Sequence, residues 1–433
     1  MMTPQMESSI KDTDTLLPPY DYKGRIPEED AWFPSKLLFL WMRPLFRRAT
    51  YLSKHETGLQ HEDLIPLPHI DHGDLIISKF ERSWNATTPL DVSVSVSDNK
   101  TDEDDIKSKQ QTDRVRKAIF AVVGRRFVVA GFIKLVNTGL QFSFPILINL
   151  ILKFIEETQA GKISESDPWS DRYRGYWLSA ILFAFIAAKA VTENQYFQRV
   201  MRSGYQSRVA ISVAVYNKSL RLSNSERQAT TLGELVNLMQ VDATKIELFL
   251  PQFHVLWDGL VQIAGYITIL YFLIGWPCFV GLAVMIAAVP LQGMVMSRLF
   301  GLNRKLVVYT DARVKTTNEA LQGIQSVKMF AWEENFEAAL GESRMKELNF
   351  LGRVAYLRAA NRAYITALPG IVAVVSFITY ALAKKDANIS ASTLFAAIVA
   401  FDQLRFPLLF YPVSLAQLSQ ASVSAAQIGR AHV

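Results

Sequence analysis

The charged residues Lys134, Asp258, Asp402 and Arg405 interrupt runs of apolar residues otherwise long enough to cross a bilayer. An ionised group in hydrocarbon costs roughly 2.5–3.5 kcal/mol on insertion scales, so each must line an interior path or pair with a neighbour. The same runs carry Trp257, Phe377, Tyr380 and Phe401, whose aromatic faces suit recognition of an amphipathic solute better than bond-making. Phe401, Arg405, Leu408 and Pro412 recur at helical spacing on one face. Arg405, in "LRFPL", offers a guanidinium fit for an organic anion; it also stands three residues from Asp402, and a simple ion pair is the competing reading.

Bond-breaking chemistry finds little support. A phosphate-binding loop of the form G-x-x-x-x-G-K-[ST] cradles phosphates on its backbone N–H groups, and none of the 433 residues match it. The nearest fragment, Gly161 and Lys162, follows no strand. His69 and His72 in "HIDH" lack a matching ligand cluster, and the one cysteine, Cys278, allows neither an intrachain disulfide nor a cysteine metal site. No catalytic, cofactor-binding or metal residue is therefore assigned, and this chain is not expected to hydrolyse ATP alone.

These residues stand on stretches that read as membrane helices. Half of the residues are hydrophobic and the net charge is only +6, with basic residues scattered instead of forming a stripe. That argues for a membrane protein and against nucleic-acid binding. Crossing about 30 Å of hydrocarbon takes about 20 residues, and six runs qualify, near 127–154, 175–198, 249–273, 277–299, 363–384 and 393–416. Pro290, Pro369, Pro407 and Pro412 are expected to kink their helices. Short connections join spans one to two, three to four and five to six; the other two are long, poor in Gly and Pro and basic. They read as membrane helices that continue well beyond the bilayer, turn and return. By the positive-inside tendency they lie in the cytoplasm, which places both termini there and the short loops, with the sequon at Asn388, outside. The start of the chain lacks the apolar block of a secretory signal. Ahead of the spans, residues 1–34 read as a disordered tail, 35–49 as an amphipathic helix in the headgroup layer, and 85–117 as a polar linker.

The segments "TLGELVNLMQVDA", "ALQGIQSVKMFAWEENF" and "LRFPLLFYP" followed by "QASVS" closely resemble the first transmembrane domain of ATP-binding cassette (ABC) exporters of the multidrug resistance-associated C subfamily. The likeness extends upstream to "WMRPLFRRA" and "HEDLIPLP", similar to that family's cytoplasmic lasso, here 35–84. It implies an all-α membrane protein: a six-helix type-1 exporter domain over 118–426 with long cytoplasmic helical extensions. It also implies an ATP-driven efflux transporter of organic anions, conjugates or drugs, working by alternating access in the plasma or vacuolar membrane. Its partners would be the lipid membrane, a small-molecule substrate, a second transmembrane domain and nucleotide-binding domains that carry ATP and Mg. Ser223, Glu226 and Thr231 at one lever tip, and Met329, Phe330, Trp332 and Phe336 at the other, then match the family's coupling helices. A channel or channel regulator of the same subfamily, or a truncated non-transporting subunit, are the alternatives. The final "QIGRAHV" is spelled by the codons CAG ATC GGA AGA GCA CAC GTC, which match the opening of a sequencing adapter, so 427–433 is expected to be a non-native tail.

Overall fold

The computed structural model describes residues 25–54, 58–86, 100–161, 173–223, 231–383 and 390–431. Every regular element among them is helical: α1 (Pro27–Asp30), α2 (Phe33–Leu37), α3 (Arg43–Lys54), α4 (Gly73–Ala86), α5 (Lys100–Gln159), α6 (Arg174–Ser219), α7 (Leu232–Asn237), α8 (Ala243–Ile274), α9 (Cys278–Gln322), α10 (Ile324–Met329), α11 (Glu333–Ala383) and α12 (Ala391–Ala431). Among the described residues, five helices are long and apolar enough to cross a membrane: Arg174–Ser219, Gly233–Ile274, Cys278–Gln322, Glu333–Ala383 and Ala391–Gly429. The expected first span, 127–154, lies within α5, which is not one of the five.

The chain divides into two compact units. One comprises Met1–Asn137, Ala187–His254 and Leu415–Val433; the other comprises Thr138–Ile186 and Val255–Ser414. In the first, α5 supplies Val115, Ala118, Ile119, Val123 and Phe127, a helical spacing that turns one face into a bundle with α4, α6, α8 and α12. Ser203, Gly204, Ser207 and Ala210 make a small-residue ridge on α6. A Cβ at Gly204 would come within 2.8 Å of the Glu247 carbonyl oxygen, so glycine permits the close α6–α8 crossing. A π turn, Leu238–Asp242, precedes α8 and buries Asp242, which accepts hydrogen bonds from Ser424 and Lys245 at 2.8 Å each. The last turns of α12 belong to the same packing, with Ile428 buried and Gly429 against Gln111.

The N-terminal segment departs from the expected tail plus single helix. Residues 27–37 form two short helices, each with proline in its first turn, and Phe39 at φ 56° separates them from the short 3-10 turn Leu40–Met42 that leads into α3. Pro44 is tolerated because it occupies the first turn of α3. The linker is shorter than expected, since α5 is helical from Lys100. This segment is pinned by charge and backbone. Arg48 Nε donates to Asp63 at 2.8 Å, Gln195 donates to the carbonyls of Lys36 and Leu37 at 2.9 Å, and Arg202 grips both Glu28 and Asp71. The Gln60 N–H and Arg48 hold the Asp63 carboxyl below its ordinary value. Burial alone would raise the Asp71 carboxyl, but Arg202, Gln206 and Arg126 outweigh it and hold it down.

In the second unit the core runs through Tyr266, Leu270 and Ile274 of α8, Met285 of α9, Val372 of α11 and Phe401 and Leu404 of α12. Gly275 at φ 72° closes α8, and Pro277 follows as the N-cap of α9, a tight membrane turn from glycine and proline at the positions that favour them. Pro290, Pro369, Pro407 and Pro412 all sit inside continuous helices, as do Pro145 and Pro251. A Cβ at Gly281 would run into Ser376 Oγ and lie 2.9 Å from the Phe401 ring, whereas Gly293 on the same helix has open space. Gly281→Leu is therefore expected to cost about 1–3 kcal/mol by overpacking, seen as a lowered Tm in detergent. Gly293→Ala should leave Tm unchanged or raise it through helix propensity.

Candidate functional site

A buried polar seam forms where α8 meets α5 and α12 in the second unit. Asp258, 1% exposed, accepts hydrogen bonds from Thr138 Oγ1 and, at 2.6 Å, from Gln262 Nε2. Gln141 donates to Gln403 at 3.0 Å. Asp258, Gln262 and Tyr266 are four residues apart, so one stripe of α8 carries the polar atoms while Gly265 lets the Phe142 ring stack edge-on to Tyr266 at 5.0 Å. Amide and hydroxyl donors around a carboxylate are what a low-dielectric interior demands of an acid it retains. Sequence reasoning named Asp258 but missed Thr138, Gln141, Gln262 and Gln403; the four-residue rhythm on α8 was the available signal.

The other candidates of this unit separate by environment. Phe401 is fully buried in the core, and Phe377 and Tyr380 are half-buried against it. Trp257 is half-buried next to Asp258 in the chain. Arg405 is mostly covered, at 16% side-chain exposure, while Asp402 is 45% exposed. The guanidinium donates to the Ile365 carbonyl at 3.1 Å, pairs with Asp402 at 3.3 Å and lies 5.1 Å over the Phe406 ring. It is thus a held cation with one long, half-open ion pair. In the first unit, Lys134 stands 5.4 Å over the Tyr196 ring, a cation–π contact.

The same second unit carries a braced lever. Helices α9 and α11 pack side by side, and Glu347, 6% exposed, receives Arg313 at 2.7 Å and Thr310 at 2.8 Å from α9 and Arg344 at 2.6 Å from its own helix. Tyr309 and Phe350 stack at 4.7 Å beside it. At the end of the lever, α10 ends in a left-handed cap: Ala331 at φ 52°, with Trp332 N–H bonded to the Val327 carbonyl at 2.9 Å. This turn throws Met329, Phe330 and Trp332 into solvent at 76%, 65% and 50% exposure, with the two rings stacked at 5.3 Å; Phe336 is half-buried behind them. At the other expected tip, Thr231 caps α7 in a reciprocal box with Glu234, and Ser223 lies just beyond the end of α6. Glu226 lies outside the described residues.

Residues 127–408 match the family model for the ABC transporter transmembrane region. The chain is 32% identical over 404 residues to ABC transporter C family member 3 of Dictyostelium discoideum, covering 93% of this chain and 26% of that protein. It is 27% identical over 416 residues to ATP-binding cassette sub-family C member 4 of Mus musculus, covering 95% and 29% respectively. Against ATP-binding cassette sub-family C member 3 of Homo sapiens it is 27% identical over 410 residues, covering 93% and 26%. The chain thus spans between a quarter and a third of the length of these relatives.

The lever brace yields a pH prediction. Hydrogen bonds from Arg313, then Arg344 and Thr310, hold the Glu347 carboxyl at about 2, down from 4.5. A depressed carboxyl contributes bracing that is complete above its ordinary value and lost as pH falls through the depressed one. Spin-label distances between α9 and α11 should stay narrow down to about pH 4.5 and broaden towards pH 2. Glu347→Gln should be broadened already at pH 6, with little further change on acidification.

Proposed function

Because the chain belongs to the ABC transporter transmembrane-region family, with relatives in sub-family C, we propose that it forms one transmembrane half of an ATP-driven exporter of amphipathic organic anions. The observation that carries this reading is the solvent-exposed aromatic tip of Phe330 and Trp332 on a helix pair clamped by Glu347. Large exposed aromatics on a rigid end are what a docking site needs, since such anchors dominate interface energy when they enter a partner's pocket. A stiff helix pair transmits displacement of that tip along its length, and α9 and α11, at 45 and 51 residues, run roughly 68 and 77 Å at 1.5 Å per residue.

The partner at the tip would be a nucleotide-binding domain outside this chain. ATP and Mg belong there: this sequence offers no phosphate loop, so no step of hydrolysis is assigned to its residues. A second transmembrane domain would complete the path. The orientation follows from the basic extensions, which favour a cytoplasmic position for the tips and both termini. Arg405 is the candidate anion contact, because a guanidinium over an aromatic ring in a covered site has a single long carboxylate contact to exchange for a substrate's anionic group.

Two measurements on the full-length protein test this. Replacing Phe330 and Trp332 together with Ala should leave ATPase activity present while ATP-dependent vesicle uptake falls at least about tenfold, the loss of roughly 1.4 kcal/mol or more of docking energy; unchanged coupling would refute the docking role. Arg405→Ala should reduce uptake of anionic solutes and spare neutral ones, and an equal loss for both would assign Arg405 to packing.

A further inference from the structure

Within the first unit, the middle turns of α5, the start of α8 and the late turns of α12 line a cavity of about 370 Å³. That size is within the range of small-molecule sites, which are mostly apolar with a few placed polar groups. Phe127, Phe249, Phe253 and Leu418 supply apolar walls, and the His254 ring closes one side, packed 4.3 Å from the Phe127 ring. Gly131 is the reason that ring fits, because a Cβ there would lie 2.8 Å from His254 Cε1. Arg116, also in the lining, has a side chain 62% exposed, with the Asp113 carboxylate 3.5 Å away.

Part of the apolar lining is open to the surroundings: Phe120 and Val128 are 57% and 60% exposed, and Phe253 is 42% exposed. The lining on α5 straddles the point where charged sequence gives way to apolar, Arg125 and Arg126 immediately preceding the run from Phe127. A water-soluble polar ligand gains nothing from these walls, whereas a hydrocarbon chain entering sideways from a leaflet buries against aromatic rings and leaves its head at Arg116.

We propose that this cavity binds a single-chain anionic lipid of the bilayer, its acyl chain between α5, α8 and α12 and its acidic head paired with Arg116. The assignment is independent of the transport reading, since it needs neither a nucleotide-binding domain nor cargo movement.

The test uses the full chain in nanodiscs containing a palmitate analogue with a diazirine near the chain end, followed by mass spectrometry of labelled peptides. Labelling is expected to concentrate on residues 116–128, 246–254 and 418–425. Arg116→Glu, a change at an exposed side chain, should lower labelling by the acid about threefold to fivefold, the scale of one partly exposed charge contact. The corresponding C16 alcohol should be unaffected by that change. Ser422→Phe, which narrows the cavity from its half-buried edge, should lower both. Labelling spread evenly over the lipid-facing helices, or equal for Arg116→Glu and the unaltered chain, would overturn the proposal. An octanoate diazirine added from water that marks the same peptides as strongly as the membrane-borne acid would overturn the bilayer source.

Discussion

Hydrocarbon offers no partner to a peptide N–H or C=O, so a chain that crosses it must satisfy its backbone within each segment. In this protein that requirement produces α6, α8, α9, α11 and α12, each of 32 residues or more. Once formed, such helices need not stop at the membrane surface. Their polar extensions remain helical because Ala, Glu, Lys, Arg and Gln dominate them and glycine is rare, and side-by-side pairing then turns two flexible rods into one stiff element. The clamp at Glu347 and the Tyr309–Phe350 stack fix the α9–α11 pair in this way.

Charge is distributed in two manners that serve different ends. Around α6, Arg202 with Glu28 and Asp71, and Arg48 with Asp63, tie irregular N-terminal segments down where propensity alone would not order them. At the buried seam of the second unit, by contrast, Asp258 is held by the neutral donors Thr138 and Gln262. Arg405 differs from both. Its carbonyl contact is firm and its carboxylate contact is long, so the cation is positioned without being fully consumed.

Much of this architecture was legible in residue order. Apolar runs of about 20 residues gave the approximate positions of five of the six expected spans, and one family-like segment falls at the turn between α9 and α11. What was hidden depended on contacts distant in sequence or on backbone strain. Glu347 sits in a stretch that reads as an ordinary solvated helix, and only the return of α11 along α9 brings Arg313 and Thr310 to it. The cap at Ala331 could not be read because alanine is an unusual occupant of a left-handed position, which costs an L-residue about 1–2 kcal/mol. Residues 100–117 look like a polar linker by composition, yet α5 runs through them, with Val115 and its successors on α5 packing into a core supplied by four other helices. His254 lay unnoticed within an apolar span, because nothing local announces that Gly131 on another helix makes room for its ring.

In the proposed role, the braced α9–α11 pair ends in an aromatic anchor for a nucleotide-binding domain. An environment-sensitive fluorophore at Phe330→Cys reports on it directly, in a chain whose native Cys278 is buried and replaced by Ser. Titration with the purified nucleotide-binding domain of the same full-length protein should give a saturable blue shift, abolished when Trp332 is also replaced by Ala. Binding of that domain to the chain with no change in the probe's emission would rule out Phe330 as a docking anchor.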